Sequence, residues 1–507
     1  MGQMGRVMTN SLYDALFAPH VANDRVFLAL PDGSCLSFSA FVALADRYAH
    51  ALRAAGLHPG DRLALHLEKS PHMLAAIAGA VQAGVVFLPL NTAYTPAEVS
   101  YFVTDAGARL VLCDGASEAA LAPVATAAGA TIATLNIDGT GSFAAPPAGA
   151  PFPTCPRGPR DLAAFLYTSG TTGRSKGAML SHDNLLSNAR VLTKAWAFTE
   201  QDVLLHALPI FHTHGLFVAT NVALLAGARM LFLPKFDAEK VIEHLPQATA
   251  MMGVPTFYTR LLADPRLCRD LVGHVRLFVS GSAPLLAETH RQWRARTGQV
   301  ILERYGMTET SMNTSNPYTG ERRAGTVGPA LPGIKVRVCD GSGREMPRGE
   351  TGVIEVRGPN VFQGYWRMPE KTREELRDTG FFITGDLGVM SPDGYVTIVG
   401  RAKDLVISGG FNIYPKEVED ILDSQPGVLE SAVIGLPHPD FGEAVVAVIV
   451  PRLGTELDAA ALRVALAENL AKFKQPKHIE IRADLPRNTM GKVQKNILRE
   501  ELRGLFG

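Results

Sequence analysis

The stretch LYTSGTTGRSKGAML, residues Leu166–Leu180, runs from an apolar segment through small hydroxylated residues and glycines into a second apolar segment. Gly170 and Gly173 allow backbone N–H groups to approach an anion closely, and Lys176 adds a positive charge. Further hydroxyl donors come from Thr168, Ser169, Thr171 and Thr172. This composition predicts a loop that binds phosphate groups.

The loop does not follow the Walker pattern G-x-x-x-x-G-K-[ST]. Counted from Gly170, the sixth residue is Ser175, and Gly177 follows the lysine. The stretch is therefore interpreted as a phosphate loop of another kind, and the alternative is a flexible surface turn.

Apolar strands alternate with helices around this loop. Helices are predicted over Ser37–Gly56, where apolar residues recur at helical spacing, and over Pro71–Ala83. The predicted strands are Asp61–Leu67, Val85–Leu90, Arg109–Cys113, Val203–Leu208, Met230–Leu233, Arg276–Ser280 and Val300–Arg304. Such alternation is typical of βαβ units and predicts an α/β fold with a largely parallel sheet.

The chain of 507 residues is too long for one core. The proline-rich residues 144–160 are expected to form an extended connection, and short strands with glycine-rich turns after Lys335 predict a β-rich module. A new α+β pattern follows Gly400, with helices at Pro415–Asp423 and Asp458–Phe473 and strands at Leu429–Leu436 and Ala444–Pro451. We therefore predict domains at residues 1–400 and 405–507, joined by 401–404.

Composition excludes several classes of protein. Lys+Arg and Asp+Glu both number 49, so no basic excess favours nucleic acid or an anionic membrane. Five scattered cysteines without a C-x-x-C pair fit a reducing compartment. The sequence shows neither a membrane-spanning apolar run nor a signal-peptide core at its start. We expect a cytoplasmic protein that acts on small molecules, as a monomer or small homo-oligomer.

Seven further segments, together with Leu166–Leu180, resemble in order the signatures of the adenylate-forming superfamily. This superfamily contains acyl-CoA synthetases, luciferases and peptide-synthetase adenylation domains. The segments are LPIFHTHG (Leu208–Gly215), GVPTFYTRLL (Gly253–Leu262), SGSAPL (Ser280–Leu285), ERYGMTET (Glu303–Thr310), FFITGDLG (Phe381–Gly388), GRAKDLVISGGFNIYPKEVE (Gly400–Glu419) and PRNTMGKVQK (Pro486–Lys495). The resemblance covers nearly the whole chain and implies a large N-terminal domain, a hinge and a small mobile C-terminal lid.

The resemblance also implies a reaction in two halves that uses ATP, Mg²⁺ and coenzyme A. A carboxylate attacks the α-phosphate of ATP and releases pyrophosphate, and a thiol then attacks the acyl-adenylate and releases AMP. ATP is required because oxide is a poor leaving group and AMP is a better one. Since the first half joins two anions, the site must supply positive charge.

By this resemblance, Glu309 holds Mg²⁺ and Thr308 donates to the α-phosphate. Asp386 accepts from the ribose hydroxyls with help from Arg401, because a carboxylate with two oxygens suits a diol. Further members of the implied nucleotide site are Ser282, Ala283, Pro284, Glu303, Arg304, Tyr305 and Gly306.

The lid residues follow from the same resemblance. Lys492 bridges the attacking carboxylate and the α-phosphate, and Lys403 lies at the hinge that turns the lid between half-reactions. Gly409 and Gly410 then approach the pantetheine arm of coenzyme A. Lys474 is assigned to the phosphates of coenzyme A, with a solvated surface as an equal alternative.

Four stretches resemble malonyl-CoA synthetases in particular: NTAYT (91–95), LPIFHTHGLFVATNVAL (208–224), RYGMTETSMNTSNPY (304–318) and PRNTMGKVQKNILR (486–499). The second carboxylate of malonate requires a buried cation, because an unpaired charge is costly to bury. Arg260 is the first candidate and Arg291 the reserve, and the alternative for both is a solvated helix arginine. Donors from His212 and Ser282 and a pocket floor at Met307 complete this prediction.

Four other interpretations stay open at this point. The substrate can be another short-, medium-chain or aryl acid, or methylmalonate. The remaining three are a peptide-synthetase module, which the lack of a carrier domain before Gly507 disfavours, a luciferase-type oxygenase, and a protein that binds nucleotide without catalysis. Retention of Lys176, Glu309, Asp386 and Lys492 disfavours the last of these.

Overall fold

The predicted phosphate loop joins two neighbouring antiparallel strands, Leu162–Thr168 and Lys176–Ser181. The computed structural model describes residues 10–168, 175–408, 411–488 and 491–506. Ser169, Gly170, Thr171, Thr172 and Gly173, which were predicted to bind phosphate, therefore lie outside the described residues. Because Thr168 and Lys176 pair directly, both ends of the loop have fixed positions.

These two strands end the first sheet, whose other members pair in parallel. Its strands in spatial order are Thr131–Thr134, Leu110–Cys113, Arg62–His66, Val86–Pro89, Leu162–Thr168 and Lys176–Ser181. The associated helices are Phe38–Ala54, Pro71–Ala83, Pro96–Ala106, Glu118–Ala127 and His182–Ala195. This alternation is the βαβ pattern that the sequence predicts.

The second sheet is parallel at its centre and antiparallel at both edges. In spatial order its strands are Ser311–Ser315, Leu302–Met307, Leu277–Ser280, Ala250–Gly253, Val203–His206, Arg229–Phe232, Val26–Ala29 and Cys35–Ser37. Its helices are Ser11–Leu16, Asn221–Ala226, Ala238–His244, Pro255–Leu262, Arg269–Val272 and Ala287–Thr297, with 3₁₀ turns at Ala18–His20 and Leu245–Gln247. A π-helix at His214–Thr220, which the sequence does not predict, begins at the end of the LPIFHTHG segment.

The third sheet is the predicted β-rich module. It is antiparallel and contains the strands Lys335–Cys339, Thr351–Arg357, Phe382–Met390 and Val396–Arg401, with the helix Pro369–Glu375 beside it. The smaller C-terminal domain follows a 3₁₀ turn at Ala402–Asp404.

The C-terminal domain has its own sheet, made of Phe411–Ile413, Val406–Ser408, Gly442–Pro451, Val428–His438 and His478–Ile481. Its helices are Pro415–Asp423, Ala459–Asn469 and Lys495–Glu501. The predicted helix Asp458–Phe473 is too long, because the backbone becomes extended at Leu470 and only a 3₁₀ turn, Lys472–Lys474, follows. The predicted class is confirmed: a mixed α/β fold with a large N-terminal and a smaller C-terminal domain.

Two helices of the first sheet, Pro71–Ala83 and Phe38–Ala54, pack closely against each other. The helix Pro71–Ala83 begins at Ser70, whose side chain caps it, and ends at Gly84, which adopts the left-handed conformation. Almost all of its side chains are buried, and Gly79 touches the helix Phe38–Ala54. A methyl group added at Gly79 would lie 2.6 Å from the carbonyl oxygen of Ala45, so only glycine allows this approach.

Along residues 10–168, 175–408, 411–488 and 491–506, no helix has the length and apolar character needed to cross a bilayer.

Candidate active site

A buried carboxylate lies beside the phosphate loop. Glu309 follows the strand Leu302–Met307 and is 5% exposed. The Thr168 hydroxyl donates to its Oε1 at 3.3 Å, and the Tyr365 hydroxyl oxygen lies 3.1 Å from the same atom. Within the described part of the chain, no salt bridge reaches Glu309. A buried carboxylate without its own cation fits a hard, oxygen-preferring ion such as Mg²⁺.

The predicted phosphate cation, Lys176, contacts another group. Its Nζ lies 3.0 and 3.2 Å from the two carboxylate oxygens of Glu375, and 4.1 Å from the centre of the Tyr365 ring. The Tyr365 hydroxyl also bonds to Glu375 at 2.6 Å. Glu375 and Tyr365 thus connect the lysine to Glu309, a connection that the sequence does not mark.

Asp386 is the predicted ribose acceptor. It lies on the strand Phe382–Met390 directly opposite Arg401 on the next strand, and the register brings Arg401 Nε to 2.7 Å from Asp386 Oδ1. The Tyr305 hydroxyl donates to the other carboxylate oxygen. Burial raises the pKa of Tyr305 well above its usual value, and the Asp386 charge adds to this shift. Tyr305 therefore stays protonated as a donor.

The other predicted nucleotide residues lie near these groups with differing exposure. Thr308 is half-buried between Met307 and Glu309, and Gly306 packs against Ser311 too closely for any side chain. Ala283 is half-buried and Pro284 is exposed. Glu303 is different, because it is buried and already bonded to His290 at 3.2 Å and to the Gly325 amide at 3.1 Å. These contacts already occupy the carboxylate of Glu303, and its place in the nucleotide site stays a prediction.

Lys492 belongs to the lid but faces the large domain. Its neighbour Gly491 lies against Thr256 of the helix Pro255–Leu262. Burial and the Arg401 charge lower the pKa of Lys492, and the charges of Asp386 and Glu309 oppose this shift. The Lys492 residue is nevertheless exposed to solvent in this structure. The lysine is thus within electrostatic range of both carboxylates.

Three of the residues predicted to bind the acid, His212, Ser282 and Met307, are half-buried. His212 is half-buried, and His214 is buried with its Nδ1 3.2 Å from the Ser282 hydroxyl. Ser282 adopts a left-handed backbone, with φ of 72°. Such a conformation is strained for a side chain with a Cβ and is often found at functional sites. Met307 is half-buried beside Tyr305.

A buried cation without a counter-ion lies in this region. Arg304 is 4% exposed, and its Nε and Nη2 have no hydrogen-bond partner among the described residues. Its guanidinium packs against Gly281, where any side chain would clash with it. The Arg304 charge also lowers the pKa of His212 and His214, which places it electrostatically beside both histidines. Burial lowers the pKa of Arg304 to about 9, so it is charged at neutral pH.

The two arginines that the sequence proposes for the acid differ from Arg304. Arg260 is exposed on the helix Pro255–Leu262, one turn beyond Thr256. Arg291 has a side chain that is 64% exposed, and it pairs with Glu288 of its own helix at 2.6 Å. Neither is a buried, unpaired cation, and their assignment stays a prediction that burial does not favour. Arg304 was predicted on the nucleotide side, and only tertiary packing shows its lack of a partner.

The predicted hinge, residues 401–404, lies between two ion pairs. Arg401 pairs with Asp386 of the large domain, and Asp404 pairs at 2.7 Å with Arg499 of the C-terminal helix. Lys403 lies between them and is exposed. The hinge at 401–404 stays a prediction.

The structure gives little information on the predicted coenzyme A contacts. Gly409 and Gly410 lie outside the described residues. Lys474 donates to Glu417 at 2.6 and 2.8 Å, so its charge is already paired within the lid. Its role at coenzyme A stays a prediction.

Comparisons with known proteins show the family to which the chain belongs. The chain belongs to the AMP-binding enzyme family, whose model matches residues 18–366, and the AMP-binding enzyme C-terminal domain matches 417–492. It is similar to the crystal structure of ATP-bound MatB from Rhodopseudomonas palustris, with TM-score 0.96 and 57% identity over 99% of this chain and 100% of that one. It is 37% identical to feruloyl-CoA synthase from Amycolatopsis sp. (94% and 95% covered) and 34% identical to malonate–CoA ligase from Arabidopsis thaliana (87% and 78% covered).

Proposed function

We propose that this chain is an AMP-forming malonate–CoA ligase that works through malonyl-adenylate. It releases pyrophosphate in the first half-reaction and AMP in the second. We further propose that it acts in the cytoplasm on malonate, ATP and coenzyme A, as a monomer or small homo-oligomer. A ligase for methylmalonate or another short- or medium-chain acid is the alternative.

The observation that carries this proposal is the unpaired guanidinium of Arg304 beside His212 and His214. A buried charge without a partner is costly, and an anion that enters the pocket with the substrate removes that cost. Malonate brings a second carboxylate, whereas a simple aryl or alkyl acid leaves the guanidinium unpaired. The similarity to a malonate–CoA ligase supports the same choice.

The first half-reaction needs positive charge between two anions. Lys492 enters from the lid and lies in range of Asp386 and Glu309. Its ammonium stabilises the attacking carboxylate and the α-phosphate as they approach, and Thr308 donates to the same phosphate. Mg²⁺, when held by Glu309, supplies further positive charge to the phosphates. Asp386 positions the ribose through its two carboxylate oxygens.

The second half-reaction needs a different face of the lid. Rotation about Lys403, between the ion pairs of Arg401 and Asp404, moves Lys492 away and brings Gly409 and Gly410 towards the thiol. The large domain keeps the adenylate bound, because Asp386 and Arg304 do not belong to the lid.

A panel of carboxylic acids tests the proposal. With ATP and Mg²⁺, malonate is expected to give pyrophosphate release with kcat/KM at least about 100-fold above propionate, acetate or ferulate, since a buried unpaired charge costs about 3 kcal/mol or more. Adding coenzyme A should then give the thioester and AMP in equal amounts. Equal rates with acetate and malonate would reject malonate as the specific substrate. If none of the acids led to pyrophosphate release, the proposed ligase activity would be rejected.

His212 gives a prediction about pH. Burial, with the charges of Lys492 and Arg304, lowers the pKa of His212 to about 3, so the ring is neutral at pH 6 and at pH 8. His212→Leu should therefore lower kcat/KM for malonate about ten-fold, because leucine has a similar size but no donor for the charged acid. The factor should be the same at both pH values, measured by pyrophosphate release. A larger loss at pH 6 would mean that a protonated histidine binds the acid.

A further inference from the structure

A lysine that has no part in the mechanism above lies behind the acid pocket. Lys69 Nζ donates to His206 Nδ1 at 2.8 Å, to the His206 carbonyl at 2.8 Å and to the Leu208 carbonyl at 2.9 Å. The ammonium also lies 4.3 Å from the centre of the Phe232 ring. Among the described residues, no carboxylate forms a salt bridge with Lys69. Its contacts therefore all go to one segment of chain and one ring.

The hydrogen bonds select the charged form of Lys69. Only an ammonium can donate to three acceptors at once, and a neutral amine would have to accept from His206 Nδ1. That alternative would leave His206 Nε2 without a proton, although it lies 2.9 Å from the Gly215 carbonyl oxygen. Two acceptors would then face each other. Burial lowers the pKa of Lys69 well below its usual value. The ammonium is therefore assigned from the geometry of the three acceptors.

His206 connects Lys69 to the segment that contains the predicted acid-binding histidines. Burial and the Lys69 charge lower the pKa of His206 well below its usual value, so the ring is neutral with one N–H, on Nε2. That N–H donates to the Gly215 carbonyl, which also accepts from the Thr220 hydroxyl at 2.9 Å. Gly215 in turn packs against the Pro209 carbonyl without room for a side chain. We call the segment 206–215 the histidine loop. Its two ends, His206 and Gly215, are joined by the hydrogen bond from His206 Nε2 to the Gly215 carbonyl.

His212 and His214 lie within this loop, and His214 faces Ser282. We propose that Lys69 is a positioning residue that holds the histidine loop in the conformation that binds the second carboxylate of the acid. This proposal rests on the proposed function, because it assumes a doubly charged acid. Lys69 acts through His206 and Gly215, so it affects that carboxylate and leaves the nucleotide unaffected.

The test compares two acids in one variant. Lys69→Met keeps a long apolar side chain and removes the three hydrogen bonds. Its kcat/KM for malonate should fall about ten-fold or more, and that for propionate, which lacks the second carboxylate, should change less than about two-fold. ATP affinity, measured by equilibrium binding of a non-hydrolysable analogue, should stay within about two-fold. Lys235→Met, an exposed lysine just beyond the strand Arg229–Phe232, is the matched control and should change none of these.

A purely structural role would give a different result. If Lys69→Met lowers kcat/KM for malonate and for propionate by the same factor, the proposal is overturned. It is also overturned if the variant weakens ATP binding as much as it lowers kcat/KM for malonate. Should this variant fail to fold, Thr220→Val removes one donor to Gly215 without touching Lys69, and a selective loss for malonate of about three-fold is expected. No change in the malonate-to-propionate ratio there would also overturn it. A wild-type enzyme without any preference for malonate would instead reject the proposed function.

Discussion

Replacing Lys492 with alanine is expected to lower the rate of malonyl-adenylate formation about 100- to 1,000-fold, the usual effect of removing one charge-stabilising donor from a transition state. The loss should appear in kcat, because Lys492 acts where two anions approach each other rather than in ATP binding alone. Lys492 is in electrostatic range of Asp386, Glu309 and Arg304, so we expect its ammonium to be the cation that the C-terminal domain contributes to the site.

The two half-reactions separate this role from a general effect on the lid. Supplied with synthetic malonyl-adenylate, the Lys492→Ala variant should convert coenzyme A to the thioester at nearly the wild-type rate, because the lid has then turned away. Lys472→Ala, which changes an exposed lysine of the same domain, is the control and should leave both steps intact. An equal loss in both half-reactions would show that Lys492 supports the lid rather than the first step.

The fold follows from the sequence because local signals and burial agree. The helix Pro71–Ala83 has a serine cap, a proline at its start and a glycine at its end, and the structure gives the same bounds. The strands differ from prediction by a few residues, as at Val203–Leu208, where pairing ends at His206. The π-helix at His214–Thr220 has no such local signal, and the carbonyl of its Gly215 accepts from the side chains of His206 and Thr220, which lie outside any local pattern.

The candidate site could be predicted only in part. Glu309, Asp386 and Lys492 are marked by the segments that contain them, and the structure places all three in one cleft. The partners of charged groups are not visible in a sequence. Lys176 faces Glu375, Arg291 faces Glu288, and Arg304 faces no acid among the described residues. The resemblance of its segment and the carboxylate-binding geometry of a guanidinium suggested Arg260 for the acid, whereas burial without a partner points to Arg304.

Replacing Arg304 with methionine is expected to lower kcat/KM for malonate at least about 100-fold, because a carboxylate left unpaired in a buried site costs about 3–5 kcal/mol. The same variant should use propionate at least as well as the wild type does, since the pocket becomes apolar. Binding of a non-hydrolysable ATP analogue should change little. If that binding fell as much as malonate use, Arg304 would belong to the nucleotide site, as the resemblance alone implies.

Stability supplies a second, independent readout of the same variant. Arg304 is buried without a counter-ion, and replacing such a charge by an apolar side chain of similar length is often neutral or stabilising. The ligand-free Arg304→Met protein should therefore melt at or above the wild-type temperature, while malonate no longer raises that temperature. A structural arginine would show the opposite, with lower stability and unchanged acid preference. Arg260→Met and Arg291→Met are the matched exposed controls, and a selective loss of malonate use in Arg260→Met would return the assignment to that residue.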